Sequence, residues 1–316
     1  MSLSMNERAA ALVDAMVADA DALRIAVREL EGGARVVDCG AQVPGGTAAG
    51  LGFAAACMGG LGRVDPIGVT VGDRTWPGVG VAVDDPATAC LASQYAGWKL
   101  ATDDFFALAS GPGRCLACVE DLFEELAWRE EADRAVLCLE TGQDPPAEIV
   151  EKVASACELP ASKLTFLIAP TASACGSVQI AARVVETALH KLHELEVDPA
   201  RVRSGWGCCP LAPIAADDGA AIGRTNDAML YGGTAHLWLQ GDDEEVAELA
   251  ARLPSSASDA FGTPFGELLE EAGGDFYEID PMLFSPAAVT LTSTESGRAH
   301  HGGGLAPEVL ERSFTQ

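Results

Sequence analysis

KLTFLIAPTASACGSVQIAARVVETALHKLHEL, residues 163–195, holds a strand, a loop of small residues and a long helical pattern in one unbroken stretch. KLTFLIAP (163–170) reads as the strand, and Val178, Ile180, Ala181, Val184, Val185, Ala188, Leu189 and Leu192 leave little of the following helix polar. Such a helix is buried most of the way round, so any charge on it needs a partner or a cavity. Arg183 and Glu186 are the charges in question. Three residues apart, they lie about 60° apart around the axis and can act on one bound atom. Elsewhere an Arg and a Glu at this spacing usually form a solvated pair worth about 0.2–0.5 kcal/mol.

Working outward, VVDCGAQVPGGTAAGLGFAAACM (36–58) repeats the theme of strand, Pro/Gly/Thr loop and small-residue helix. A duplicated strand-loop-helix unit implies two lobes and a cleft where the paired loops meet. The remaining pattern mixes helix and strand. Residues 6–30 suggest an amphipathic helix running into a strand, 67–72 and 78–85 are β-like, and 86–100 suggests a helix. A helix near 119–131 precedes the apolar strand AVLCLE (135–140), and a further helix fills 146–157. Residues 205–233 read as loop, followed by the strand AHLWLQ, an acidic helix at 243–252 and the segment DFYEIDPMLFSP. The expected fold is α+β, a two-lobed mixed α/β protein. The best linker is TGQDPP, giving lobes at 1–144 and 145–316 unless the two are interleaved in sequence.

At 316 residues and 48% hydrophobic, the chain can bury a sizeable core. It has no run of 18 apolar residues, and MSLSMNERAA lacks a basic segment followed by an apolar one. The expectation is a soluble, cytoplasmic protein with no membrane partner. The net charge is −27, with 47 acidic against 20 basic residues, and lysine is confined to Lys99, Lys152, Lys163 and Lys191. Such a surface suits concentrated salt, though an ordinary acidic cytosolic protein can share it. No basic stripe exists to neutralise phosphates, which argues against nucleic acid.

Ten cysteines lie scattered in alanine-like and valine-like contexts and read as reduced core residues. The CxxC at Cys115–Cys118 has no second CxxC and no nearby histidine to complete a zinc tetrahedron. Cys208 and Cys209, before Pro210, are either redox-active or part of a tight loop. There is no GxxxxGK[ST], HExxH or GxSxG, and no full GxGxxG after a strand. The five histidines offer no ligand set beyond an i,i+3 surface pair. The prediction is no metal and no nucleotide cofactor.

CGAQVPGGTAAGL, CMGGLG, ACLASQYAGWKL, SGPGR, APTASACGSVQIAARVVETALHKL, APIAADDGAAIGRTNDAMLYGG, LPSS and DFYEIDPMLFSPA, in this order along nearly the whole chain, resemble methenyltetrahydromethanopterin cyclohydrolase. The resemblance implies hydrolysis of the cyclic methenyl bridge of a reduced pterin one-carbon carrier, without metal or organic cofactor, by an α+β homotrimer. It also implies that the RVVE arginine and glutamate, Arg183 and Glu186, carry the reaction. For such a substrate Glu140, closing AVLCLE, is a candidate pterin anchor, because a carboxylate can accept the pterin's amino group and ring N–H together. The alternative is an exposed strand-end carboxylate. Arg114, Lys99 and Arg224 are candidates for the carrier's anionic tail, or else ordinary surface charge. Asp217 and Asp218 suit either a cation or a helix cap. The residues do not separate tetrahydromethanopterin from tetrahydrofolate as carrier. A non-catalytic pterin-binding trimer is the reading outside enzymology.

Overall fold

The computed structural model describes residues 4–126, 129–275 and 278–315. The chain forms two compact units that exchange segments: Met1–Arg63 with Thr88–Gln179, and Val64–Ala87 with Ile180–Gln316. A cut at 144 falls inside the first of these units. That cut would sever two parallel neighbours, β7 (Ala135–Glu140) and β8 (Leu164–Ala169), which pair from Ala135↔Leu164 to Glu140↔Ala169.

Among the described residues each unit holds a six-stranded sheet. The first adds β1 (Ala26–Glu29), β2 (Arg35–Asp38), β5 (Trp98–Ala101) and β6 (Phe106–Ser110), in the order β1-β2-β8-β7-β6-β5. Its central strands β2, β8 and β7 run parallel, flanked by antiparallel β1 and β6. Helices cover both faces. Val36, Leu137, Leu139, Phe166 and Ile168 pack on Ile149 and Val153 of α6 (Ala147–Ala156). Val37, Val136, Cys138 and Leu167 pack on Ala9 and Val13 of α1 (Met5–Ala18) and Phe53 of α3 (Thr47–Cys57). Burial on both sides is why AVLCLE and LTFLIA are continuous apolar runs without alternation. This unit also contains α2 (Ala20–Leu23), α4 (Arg114–Ala117) and α5 (Leu122–Leu126).

The two repeated segments lie side by side. β2 pairs with β8 in parallel, Val36 opposite Phe166, and α3 approaches α7 (Ala174–Ala181) so closely that a Cβ on Gly50 would stand 2.6 Å from the Val178 Cβ. The paired loops thus meet within the first unit, at the carboxyl ends of its parallel strands.

The second unit orders its sheet β12-β11-β10-β9-β4-β3, from β3 (Gly62–Val71), β4 (Arg74–Val83), β9 (Val202–Pro210), β10 (Thr234–Leu239), β11 (Ala288–Ser293) and β12 (Ala299–Gly303). Here β10 and β11 alternate between buried and partly exposed residues, the signature of a sheet covered on one face. Covering that face are α8 (Val184–Glu194), α9 (Asp218–Gly232) and α10 (Asp243–Arg252), and the unit ends with α11 (Phe265–Glu271) and α12 (Pro307–Thr315).

Several local expectations are corrected. The helix through Arg183 is not continuous: α7 stops at Ala181, and α8 begins at Val184 with Arg183 as its N-cap, φ −82° and ψ 4°. The reason is tertiary. Val184 and Val185 seat against β9 where glycine leaves room; a Cβ on Gly207 or Gly205 would come within 2.8 or 2.5 Å of them. Residues 205–233 are not loop, since β9 runs to Pro210 and α9 spans fifteen residues. Asp217 caps α9 by accepting the Ala220 N–H at 2.9 Å, which favours the capping alternative. Cys208 and Cys209 stand in β9, not in a tight loop. The segment 86–100 is π-helical only over Ala87–Gln94 and then becomes β5. The helix expected near 119–131 is α5 alone, with Ala127 and Trp128 outside the described residues, as are Phe276 and Tyr277 of DFYEIDPMLFSP. All ten cysteines are free, and only Cys118 and Cys208 are more than slightly exposed. No described helix is long and apolar enough to cross a membrane.

Candidate active site

In the second unit, the apolar circumference read from the sequence is observed: Val184, Val185, Ala188, Leu189 and Leu192 are all fully buried. Of the charges beside them, Glu186 is buried and Arg183 is mostly so. The Arg183 and Glu186 side chains are 13% and 7% exposed, and the guanidinium lies 3.7 Å from the carboxylate. That separation is an ion pair rather than a direct hydrogen bond. Glu186 sits in the first turn of α8, where the helix macrodipole favours negative charge. A carboxylate beside a guanidinium in the first turn of a helix is of the chemical type that serves as a general base.

Five residues further along α8, the fully buried Lys191 ammonium donates to the carbonyls of Pro254 at 2.9 Å and Met282 at 2.5 Å. Burial pushes its pKa down to about 8. This lysine ties LPSS and DPMLFSP to the helix that bears Glu186. The sequence signal was present, a lysine on an apolar helix in a chain with four lysines, but its partners are more than sixty residues away.

In the first unit, Glu140 closes β7 and has the partners that a strand-end carboxylate needs. The Thr171 hydroxyl donates to its Oε1, and the Gln179 amide donates to its Oε2 at 3.3 Å. One carboxylate has four lone-pair positions, so capacity for two further donors is left. Gln179 is also the last residue of the first unit, four positions before Arg183.

The three tail candidates part ways. Arg114 is fully buried, and its donors reach Glu120 at 2.8 and 2.5 Å and the carbonyls of Leu91, Ala92 and Ser93 at 3.0, 3.1 and 3.2 Å. It caps the π-helix 87–94 between the rings of Tyr95 and Phe123. These bonds engage four of the five N–H groups of a fully buried guanidinium, which favours a structural role over a surface charge or a tail contact. Lys99 is exposed on the sheet-edge strand β5, 5.7 Å from the Phe106 ring centre. Arg224 is half-buried on α9, with Nη1 3.5 Å from the Ile214 carbonyl.

Sequence reasoning also passed over Asp38. It ends β2 as Glu140 ends β7, a lone carboxylate after an apolar run, and is fully buried. The same rule applied to both strands would have found it.

The comparisons with known proteins follow this geometry. The family model described as Cyclohydrolase (MCH) matches residues 4–314. The chain is 47% identical to methenyltetrahydromethanopterin cyclohydrolase of Methylobacillus flagellatus, over 98% of its own length and 95% of the relative's. It is 48% identical to the enzyme of that name from Methylobacterium nodulans, covering 98% and 97% of the two chains. It is 38% identical to that of Methanococcoides burtonii, covering 99% and 98%. With its RVVE pair buried at the start of α8 and the match running almost end to end, the chain belongs to the MCH cyclohydrolase family.

Proposed function

We propose that this chain hydrolyses the methenyl bridge of 5,10-methenyltetrahydromethanopterin to the 5-formyl form, reversibly, with Arg183 and Glu186 as its catalytic pair. The observation that carries the reading is the burial of both charges, 13% and 7% exposed, in the segment that resembles the family's reactive turn. The methenyl carbon lies between two nitrogens in a cationic amidinium and is already electrophilic, so the barrier lies in positioning and deprotonating water. Glu186 takes a proton from water as its oxygen bonds to that carbon. It then returns the proton to the arylamine nitrogen as the carbon–nitrogen bond breaks, leaving the formyl group on the pterin nitrogen. Methenyl and formyl carbons share one oxidation level; the second proton of the water leaves the adduct hydroxyl for solvent as the carbonyl forms and carries away the substrate's positive charge, so the step balances with water alone. Arg183 stays charged at ordinary pH; it orients Glu186 and stabilises the developing oxygen.

Glu140, with two acceptor positions still available, anchors the pterin amino group and ring N–H. Lys99 and Arg224 are the basic residues assigned to the anionic tail. The same reading includes a homotrimer, implied by the family resemblance, a cytoplasmic location, and tolerance of concentrated salt, supported by the net charge of −27.

The test follows loss of the methenyl chromophore in molar salt, with methenyltetrahydromethanopterin and methenyltetrahydrofolate side by side and Arg183→Ala as control. Turnover of the methanopterin carrier that the control lacks is expected. Turnover of the folate carrier alone would reassign the substrate, and pterin binding without turnover of either would make this a binding protein.

A further inference from the structure

Arg28 lies on edge strand β1 and reaches well beyond its neighbour. Its Nη1 donates to Asp38 at 3.1 Å, while Nε and Nη2 donate to the two oxygens of Asp144 at 3.1 and 2.6 Å. Asp38 is fully buried and also accepts the backbone N–H groups of Gly40, Ala41 and Gln42 at 3.0, 2.7 and 2.9 Å. It therefore shapes the loop that leaves β2. Asp144 belongs to the loop that leaves β7, four residues after Glu140. In the sheet order β1-β2-β8-β7, the guanidinium ties the first strand to a loop belonging to the fourth.

Glu140 is thereby held from two directions. Thr171, in the loop after β8, and Gln179, on α7, hold the carboxylate itself. The Arg28 fork holds the far end of the 141–146 loop through Asp144, and between them a Cβ added to Gly142 would stand 3.9 Å from the Pro170 Cβ. A planar five-donor guanidinium can serve two carboxylates on separate segments at once, whereas a lysine ammonium cannot reproduce the fork. Arg28 and Asp144 are 27% and 28% exposed, so the pair is partly solvated and does little for overall stability.

We propose that Arg28, through its fork to Asp144, is a positioning residue for Glu140 and so sets the affinity for the pterin head of the substrate. This rests on the anchor role given to Glu140 above. Arg28 touches no reacting atom. Its loss lets the 141–146 loop drift and misaims the carboxylate, which weakens binding in the ground state and the transition state alike. That is the pattern of raised KM at constant kcat.

The experiment measures kcat and KM with the methenyl carrier for Glu140→Gln, Arg28→Lys and Asp144→Ala, alongside urea unfolding of each. Asp144→Ala leaves Arg28 on the buried Asp38, so folding is preserved in that variant. All three are expected to raise KM by about tenfold or more, with kcat within a few-fold of the unmodified chain. Raised KM in Glu140→Gln with unchanged KM in Asp144→Ala and Arg28→Lys overturns the inference alone. Unchanged KM in Glu140→Gln removes the anchor and the inference together. A fall in unfolding midpoint without a change in KM marks the fork as structural only and also overturns it.

Discussion

Arg114 in the first unit and Arg183 in the second each face a glutamate, and the two pairs are built in opposite ways. Arg114 grips both oxygens of Glu120, at 2.8 and 2.5 Å, and spends its other terminal nitrogen on three carbonyls of the π-helix. Arg183, mostly buried, stands 3.7 Å from the buried Glu186, at the break between two helices. A closed fork in a low-dielectric interior fixes backbone, while a pair 3.7 Å apart is not closed on itself in that way. The sequence shows two arginines in family-like segments, and only the partner geometry separates scaffold from candidate chemistry.

The comparison breaks most visibly at Glu186→Gln. Hydrolysis is expected to fall by about 10²–10⁴-fold, with the urea midpoint unmoved because the amide keeps the shape of the carboxylate. Activity within a few-fold of the unmodified chain would remove Glu186 from the base role. Arg114→Ala should do the reverse. It strands a mostly buried Glu120 and uncaps the π-helix, costing about 3–5 kcal/mol in urea unfolding, while kcat per folded molecule stays within a few-fold. A large fall in kcat with little loss of stability would restore Arg114 to the site.

Asp227 sharpens the comparison, because it is a buried carboxylate that accepts the backbone N–H of Phe265 at 2.7 Å. Burial pushes its pKa up to about 6. The folded pKa exceeds the unfolded one, so this group's stabilisation is complete below about pH 4 and is lost as pH rises through 6. The change amounts to about 2–3 kcal/mol across that window. Asp227→Asn should flatten that part of the stability–pH curve in chemical unfolding, and an unaltered curve would contradict the assignment. The smallest effect belongs to the surface. With a net charge of −27, stability should climb gradually with potassium chloride towards molar concentration, where the Debye length is about 3 Å. A maximum near zero salt in thermal unfolding would sink the halophile reading.

Much of the first unit was legible because its strands are buried on both faces, and continuous apolar runs such as AVLCLE and LTFLIA announce themselves. The second unit was less so. Its residues 205–233 carry the glycines and aspartates of a turn, yet Asp217 caps a fifteen-residue helix and the glycines of β9 receive Val184 and Val185. Of the candidate site, Arg183, Glu186 and Glu140 were legible by spacing and context. Arg28, Asp144 and Lys191 were not, since each acts through partners from 10 to 116 residues away in sequence.

The sequence by itself determined the apolar strands, the acidic surface, the family resemblance and the close spacing of Arg183 and Glu186, because these depend on local periodicity, composition and order along the chain. Only the tertiary structure decided that the helix breaks at Arg183, that the two units exchange segments, and that Arg114 is spent on its own backbone while Arg28 spans four strands of a sheet. Those outcomes depend on which distant carbonyl, carboxylate or glycine a residue meets. A side chain's neighbours in sequence do not fix that choice, because burial and hydrogen-bond satisfaction are settled only when the whole core closes.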